Sequence, residues 1–218
     1  MKKTITFLFC AVFALFSCSN DSDDADPGDD KPIPEARTSI PDANFEGALV
    51  ALNLDDKVDG SVLTSNIEFV QNLNVENEGI EDLTGIGDFD ALKDLNVRGN
   101  ALRSLDVSGN TNLLFVWAED NQLTQFVIGN NLNIEKLGLS GNRLTALNVA
   151  DYTALQLLDL ANNEMTSIDV STLPLPTFNE FKIEGNPLVC ILVSPQQIDN
   201  IPASWSKDAE DTYSLDCE

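Results

Sequence analysis

The chain has 218 residues, 43% of them hydrophobic, with 36 Asp and Glu against 12 Lys and Arg for a formal charge of −24. Such a charge argues against nucleic acid, whose phosphates need a basic surface, and against a bare anionic membrane. No histidine is present, which removes the commonest general base, the Ser-His and Cys-His pairs and the usual catalytic zinc ligands; the chain reads as a non-enzyme with no cofactor and no metal.

At the start, Lys2 and Lys3 form a short positive region ahead of an apolar run from Ile5 to Phe16. That run is the length of a signal-peptide core and too short for a spanning helix, which takes about 20 residues. Residues 1–17 therefore read as a signal peptide. Its end, Leu15, Phe16, Ser17 and Cys18, resembles a bacterial lipobox; the resemblance implies that Cys18 is lipidated and becomes the mature N-terminus. Residues 18–38 read as a tether. Six aspartates between Asp21 and Asp30 repel one another, and too little apolar surface is present to fold them. An acidic stretch placed directly after such a cysteine resembles the surface-export signal of Bacteroidota lipoproteins. It implies an outer-membrane lipoprotein displayed on the cell surface, touching the membrane through the anchor only.

Residues 39–69 follow as an N-terminal cap. Phe45, Ala48, Leu49 and Leu52 have helical spacing and predict a lid over the first repeat. The segment from Asp55 to Gly60 resembles the start of an EF-hand loop, but Lys57 and Asn66 stand at ligand positions, so a turn without calcium is expected.

Residues 70–193 are repetitive. The pattern Leu-x-x-Leu-x-Leu-x-x-Asn-x-Leu recurs over 92–102, 113–123, 134–144 and 155–165, with degenerate copies starting at Val70 and Phe178. Its asparagines are Asn100, Asn121, Asn142, Asn163 and Asn186, evenly spaced but for two extra residues near Pro174 and Pro176, which predict a bulge. Alternation at pairs such as Leu95 and Val97 predicts a short strand per repeat, stacked about 4.8 Å apart into a parallel sheet. The asparagines follow the strand, where an amide offers two donors and an acceptor to backbone groups that water cannot reach. They are expected to form a ladder. The second half of each repeat, as at Leu102, Leu105 and Val107, is too short for a full helix and predicts extended or 3₁₀ backbone.

These features specify a leucine-rich repeat solenoid, an α/β-class horseshoe that is mostly β, with about six 21–23-residue repeats, a parallel concave sheet, a helical N-cap and a disulfide-pinned C-cap over 194–218. Of the four cysteines, Cys10 leaves with the leader and Cys18 carries the lipid, so Cys190 and Cys217 remain to pair in an oxidising compartment. That bond would close a loop of roughly 27 residues and stabilise by about 3 kcal/mol. Trp205 is expected to pack over the last coil.

On the solvent side of the strands most positions are polar or small: Asn72, Asn74, Glu76, Asp94, Asn96, Arg98, Glu119, Lys136, Gly138, Ser140, Asp159 and Ala161. Phe115, Trp117 and Leu157 are the exceptions. Flanked by Asn96, Arg98 and Lys136, they make the candidate binding patch. A local register change at Ala118 would instead turn Trp117 inward.

The run from Ile40 to Phe45, the phrases such as 102–110, and the ending Asn186, Cys190, Trp205 and Cys217 together resemble leucine-rich repeat surface proteins of Bacteroidota, and the repeats resemble internalins. The resemblance implies a monomeric binding module that recognises a protein of a host, neighbour or envelope. Glycan binding in nutrient uptake, through the aromatic pair, is the alternative, and an envelope spacer without a ligand is a third reading.

Overall fold

The computed structural model of the protein describes residues 35–217. The leader, Cys10, Cys18 and the tether up to residue 34 lie outside them. Regular structure begins inside the stretch expected to be tether: β1 (Arg37–Ser39) pairs antiparallel with β2 (Ser61–Leu63). Thr38 explains this. It is buried, and its hydroxyl donates to Asp88 Oδ2 at 2.6 Å, tying the strand to the first coil.

The cap helix α1 spans Ala43–Ala51. Phe45, Ala48 and Leu49 are buried as their spacing predicts, and Phe45 stacks on Phe89 of the first coil at 6.3 Å between ring centroids. Leu52 lies past the end of the helix and is 44% exposed, contrary to the pattern. Asp42 caps the helix with one carboxylate oxygen, accepting from the N–H groups of Asn44 and Phe45, and uses the other to accept from Glu81 and Asp82. One side chain therefore both starts the lid and fastens it. The turn after the helix is organised by Glu46, whose buried carboxylate accepts from the N–H groups of Asp59, Gly60 and Ser61. Backbone donors converging on a carboxylate form a site for an anion, already filled. A short helix α2 (Thr64–Ile67) leads into the repeats.

Seven strands form one wholly parallel sheet: β3 (Asn72–Asn74), β4 (Asp94–Asn96), β6 (Phe115–Trp117), β8 (Lys136–Gly138), β9 (Leu157–Asp159), β11 (Glu180–Lys182) and β13 (Trp205–Ser206). The second halves of the coils are also extended. There β5 (Ser104–Asp106) pairs with β7 (Gln125–Val127), and β10 (Ser167–Asp169), β12 (Cys190–Leu192) and β14 (Tyr213–Ser214) form a second run. A 3₁₀ turn at Ile86–Asp88 takes this place in the first coil. The structure is thus a mostly-β parallel solenoid of about six turns. Its core lies between the seven-stranded sheet and the two shorter sheets of the second halves, with Leu95, Val116, Leu137, Leu158 and Phe181 on one side and Leu105, Ile128, Ile168 and Ile191 on the other, all buried.

Each ladder asparagine holds two coils at once. Asn142 Nδ2 donates to Leu139 O of its own turn and Ala118 O of the coil before, both at 2.9 Å, while its Oδ1 accepts from Leu123 N. Asn100, Asn121, Asn163 and Asn186 repeat the arrangement, and all five are buried. A second ladder runs along the opposite corner. Asn110 donates to Ile86 O and Phe89 O, Asn131 to Leu113 O, and Gln197 to Val170 O and Leu173 O. Tyr152 stands in that row and spans it with its hydroxyl, which donates to Gly129 O.

The residue before each ladder asparagine, and Asn77 before Glu78 at the matching place in the first coil, sits in the left-handed region, alternating between an Asx residue and glycine along the stack: Asn77, Gly99, Asp120, Gly141, Asn162, Gly185. Gly141 shows why. A β-carbon there would stand 2.6 Å from Asp120 Oδ1 of the preceding coil, so the Asx side chain occupies the space the glycine leaves. The two extra residues near Pro174 and Pro176 are taken up in a turn that leaves both prolines exposed.

At the C-terminal end, the segment 194–218 is less a separate lid than a shortened seventh coil. Trp205 packs on the last repeat as expected, and does so from within β13, as an inward residue opposite Phe181 and edge-on to Phe178 and Phe181. Aromatic volume replaces the leucines of the pattern. The helix α3 (Pro195–Ile198) is closed by a capping box between Ser194 and Gln197. The disulfide Cys190–Cys217, with 5.8 Å between α-carbons, ties β12 to the chain beyond β14.

Candidate functional site

The solvent face of the seven-stranded sheet carries the candidate patch. Register is regular through the aromatic strand: Asn96 stands opposite Trp117, and Trp117 opposite Gly138. Val116 and Ala118 are buried, so Phe115 and Trp117 project together to the other side, each half-buried. Leu157 is half-buried in line with Phe115, with Lys136 between them. Lys136 places its ammonium 5.4 Å from the Phe115 ring centroid.

Three positions expected to be open on this face are covered. Glu119, Ala161 and Gly138 are buried. At Gly138 the reason is that Trp117 and Glu119 both lean across it. A β-carbon at Gly138 would meet Glu119 Oε1 at 2.5 Å and Trp117 Cε3 at 2.9 Å. Glycine inside a strand often marks a close approach of this kind.

Arg98, half-exposed, stands with Nε 3.3 Å from Glu119 Oε2. The two are within ionic reach but out of line for a hydrogen bond, so Oε2 is buried without a hydrogen-bond partner. Burial pushes the Glu119 carboxyl above its usual range, against the pull of its own backbone N–H and Arg98. Burial also raises the Asp159 carboxyl, which accepts from Ala161 N and has Lys182 3.9 Å away.

Beside Trp117, towards the N-terminal coils, lies a concavity of about 230 Å³ lined by Asn72, Leu73, Asn74, Asp94, Asn96 and Trp117. Asn96 is fixed within it, donating to Glu76 Oε2 at 2.9 Å and accepting from Arg98 N. Neither Glu119 nor Asp159 lines this space, so the two perturbed carboxyls do not converge on one bound molecule there. A crevice of about 340 Å³ on the opposite face is lined largely by small residues such as Gly85, Gly87 and Gly109. Among the described residues no group of three or more acidic, cysteine or histidine side chains is placed to hold a metal ion, and no helix is long and apolar enough to cross a membrane.

No protein-family model matches the chain, and no curated protein matches it. Among solved structures, the functional domain of InlJ from Listeria monocytogenes, which includes a cysteine ladder, is similar at 20% identity and TM-score 0.44; the match covers 84% of this chain but only 50% of that one. Internalin C2 of the same organism is similar at 16% identity and TM-score 0.46, over 84% of this chain and all of that one. A third, internalin F from L. monocytogenes, has 18% identity and TM-score 0.40, over 80% and 71%.

Proposed function

We propose that the protein is a non-catalytic recognition module that binds a protein partner through the solvent face of its seven-stranded sheet, with Phe115, Trp117 and Leu157 as anchors and Asn96, Arg98 and Lys136 around them. One observation carries this. In a chain of formal charge −24, large aromatic and aliphatic side chains are presented together on the most regular surface of the fold, packed by Gly138 and Lys136 rather than covered by a loop. Preformed aromatic anchors ringed by polar groups are the composition of interface hot spots. The absence of histidine, and a concavity with Asp94 as its one carboxyl and neither Glu119 nor Asp159 in its lining, speak for binding without chemistry.

The delivery of the module follows from the leader. We read residues 1–17 as a lipoprotein signal, Cys18 as the lipidated residue and the acidic stretch as a tether that holds the solenoid outside the outer membrane. Labelling with a palmitate analogue tests this: the label disappears in Cys18→Ala, and a label that persists contradicts the anchor.

The binding reading is tested with a photo-crosslinking residue at Ser140, on the face, and in a second variant at Asp169, on the opposite sheet. Crosslinks to a protein at Ser140 and none at Asp169 support the proposal. Crosslinks only at Asp169, or a signal on glycans with no protein crosslink, overturn it.

A further inference from the structure

We infer that the concavity between Asp94 and Trp117 is a receptor for a single cationic side chain, an arginine or lysine, from a basic segment of the protein partner; this rests on the proposed use of the sheet face. Three observations converge. Asp94 points a carboxylate into the space, and among the described residues it has neither a hydrogen-bond nor an ion-pair partner there. Trp117 forms a wall, and no cation of the described residues stands over its ring, although a Lys already sits over Phe115 on the same strand. The indole is the better of the two rings for that contact. Asn72 and Asn74 complete the lining, and their side-chain oxygens are acceptors for the N–H groups of a guanidinium or ammonium head, although Asn74 Oδ1 already accepts from Glu76 N at 3.2 Å.

Size narrows the occupant. About 230 Å³ suits one side-chain head and lies below the roughly 300–1,000 Å³ of pockets that enclose a whole small ligand. Charge decides the sign. A formal charge of −24 draws a basic partner towards every face of the protein and gives a neutral sugar no such pull. Arg98 and Lys136 repel a cation from the neighbouring positions, which leaves the Asp94 end of the patch as the place where one is admitted.

The test uses the full chain and the two indole N–H signals of its NMR spectrum. Trp117 is the probe and Trp205, in the core of the last coil, is the internal control. N-acetyl-arginine amide is titrated in, with the neutral isostere N-acetyl-citrulline amide and a disaccharide as comparisons. The arginine compound is expected to shift the Trp117 signal and not that of Trp205. Asp94→Asn should weaken the effect by about tenfold, whereas Asp169→Asn, an equal charge change on the opposite sheet, should leave it unchanged. Equal shifts from citrulline, equal weakening in Asp169→Asn, no shift from arginine, or a shift from the disaccharide alone would each overturn the inference. A protein that crosslinks at Ser140 yet ignores Asp94→Asn removes this receptor and leaves the binding face standing.

Discussion

The indole of Trp117 lies against Gly138 of the next coil, so close that a β-carbon on Gly138 would stand 2.9 Å from its Cε3. An exposed aromatic on a sheet face is ordinarily free to change rotamer. Here the glycine lets it settle on the backbone of its neighbour, and an aromatic fixed in this way would lose less entropy in any contact it made.

Gly138→Ala tests that seat. The added methyl meets Glu119 Oε1, the far end of a flexible side chain, and the edge of the rigid Trp117 indole, which can move only as a whole, so the fold is kept at a loss of about 1 kcal/mol while the indole is pushed into solvent. Tryptophan emission should move to longer wavelength with an unchanged far-ultraviolet spectrum. Unchanged emission would mean that Trp117 is not held by this contact.

Glu119 makes stability fall as pH rises. Burial is the main reason its carboxyl sits above the usual value, so the folded state holds the proton more tightly than the unfolded chain. The penalty for ionising it is absent below the ordinary glutamate range and complete above the raised value. Glu119→Gln imitates the protonated acid. It should melt at a higher temperature than the parent at neutral pH and at the same temperature in acid. A lower melting temperature at neutral pH would show that the Arg98 pair outweighs burial.

Asp42 has the opposite sign. Partial burial pushes its carboxyl up, but four backbone N–H donors, from Phe45, Glu81, Asp82 and Asn44, hold it below its usual value overall. Its contribution is present at neutral pH and lost as pH falls through that lowered value. Asp42→Ala should cost about 0.5–2 kcal/mol at neutral pH, and chemical denaturation should show the difference closing in strong acid.

The asparagine ladder carries a larger share per residue. Asn142→Ala leaves Leu123 N without its buried partner and takes one of two asparagine donors from Ala118 O and from Leu139 O, which Asn121 and Asn163 still serve; it should cost about 1–3 kcal/mol. Asn148, exposed outside the ladder, serves as the control and should change stability little. Equal effects at the two positions would deny the ladder its role.

Much of this fold is legible in the chain because a repeat states the same physics several times. Leu95 and Val97 would be ambiguous alone; with Leu137, Leu139, Leu158 and Leu160 at matching positions they specify inward strand residues. The second ladder is harder to read. Asn110 and Asn131 keep the repeat spacing, but Tyr152 and Leu173 then replace the amide before Gln197 restores it. Trp205 is a similar case, since an aromatic that substitutes for a leucine coil announces burial without its register. The covering of Glu119 depends on how side chains lean between coils, which strand alternation does not encode; Gly138 within a strand was the one signal available.

Whether the face carrying Trp117 is the recognition surface is decided by the affinity of Trp117→Ala for a crosslinked partner, taken beside its thermal melt. Binding should weaken by tenfold or more, about 1.4 kcal/mol or greater, with a melting temperature close to that of the parent. Undiminished affinity in a folded variant would contradict it, and so would a variant that unfolds, because Trp117 would then belong to the core.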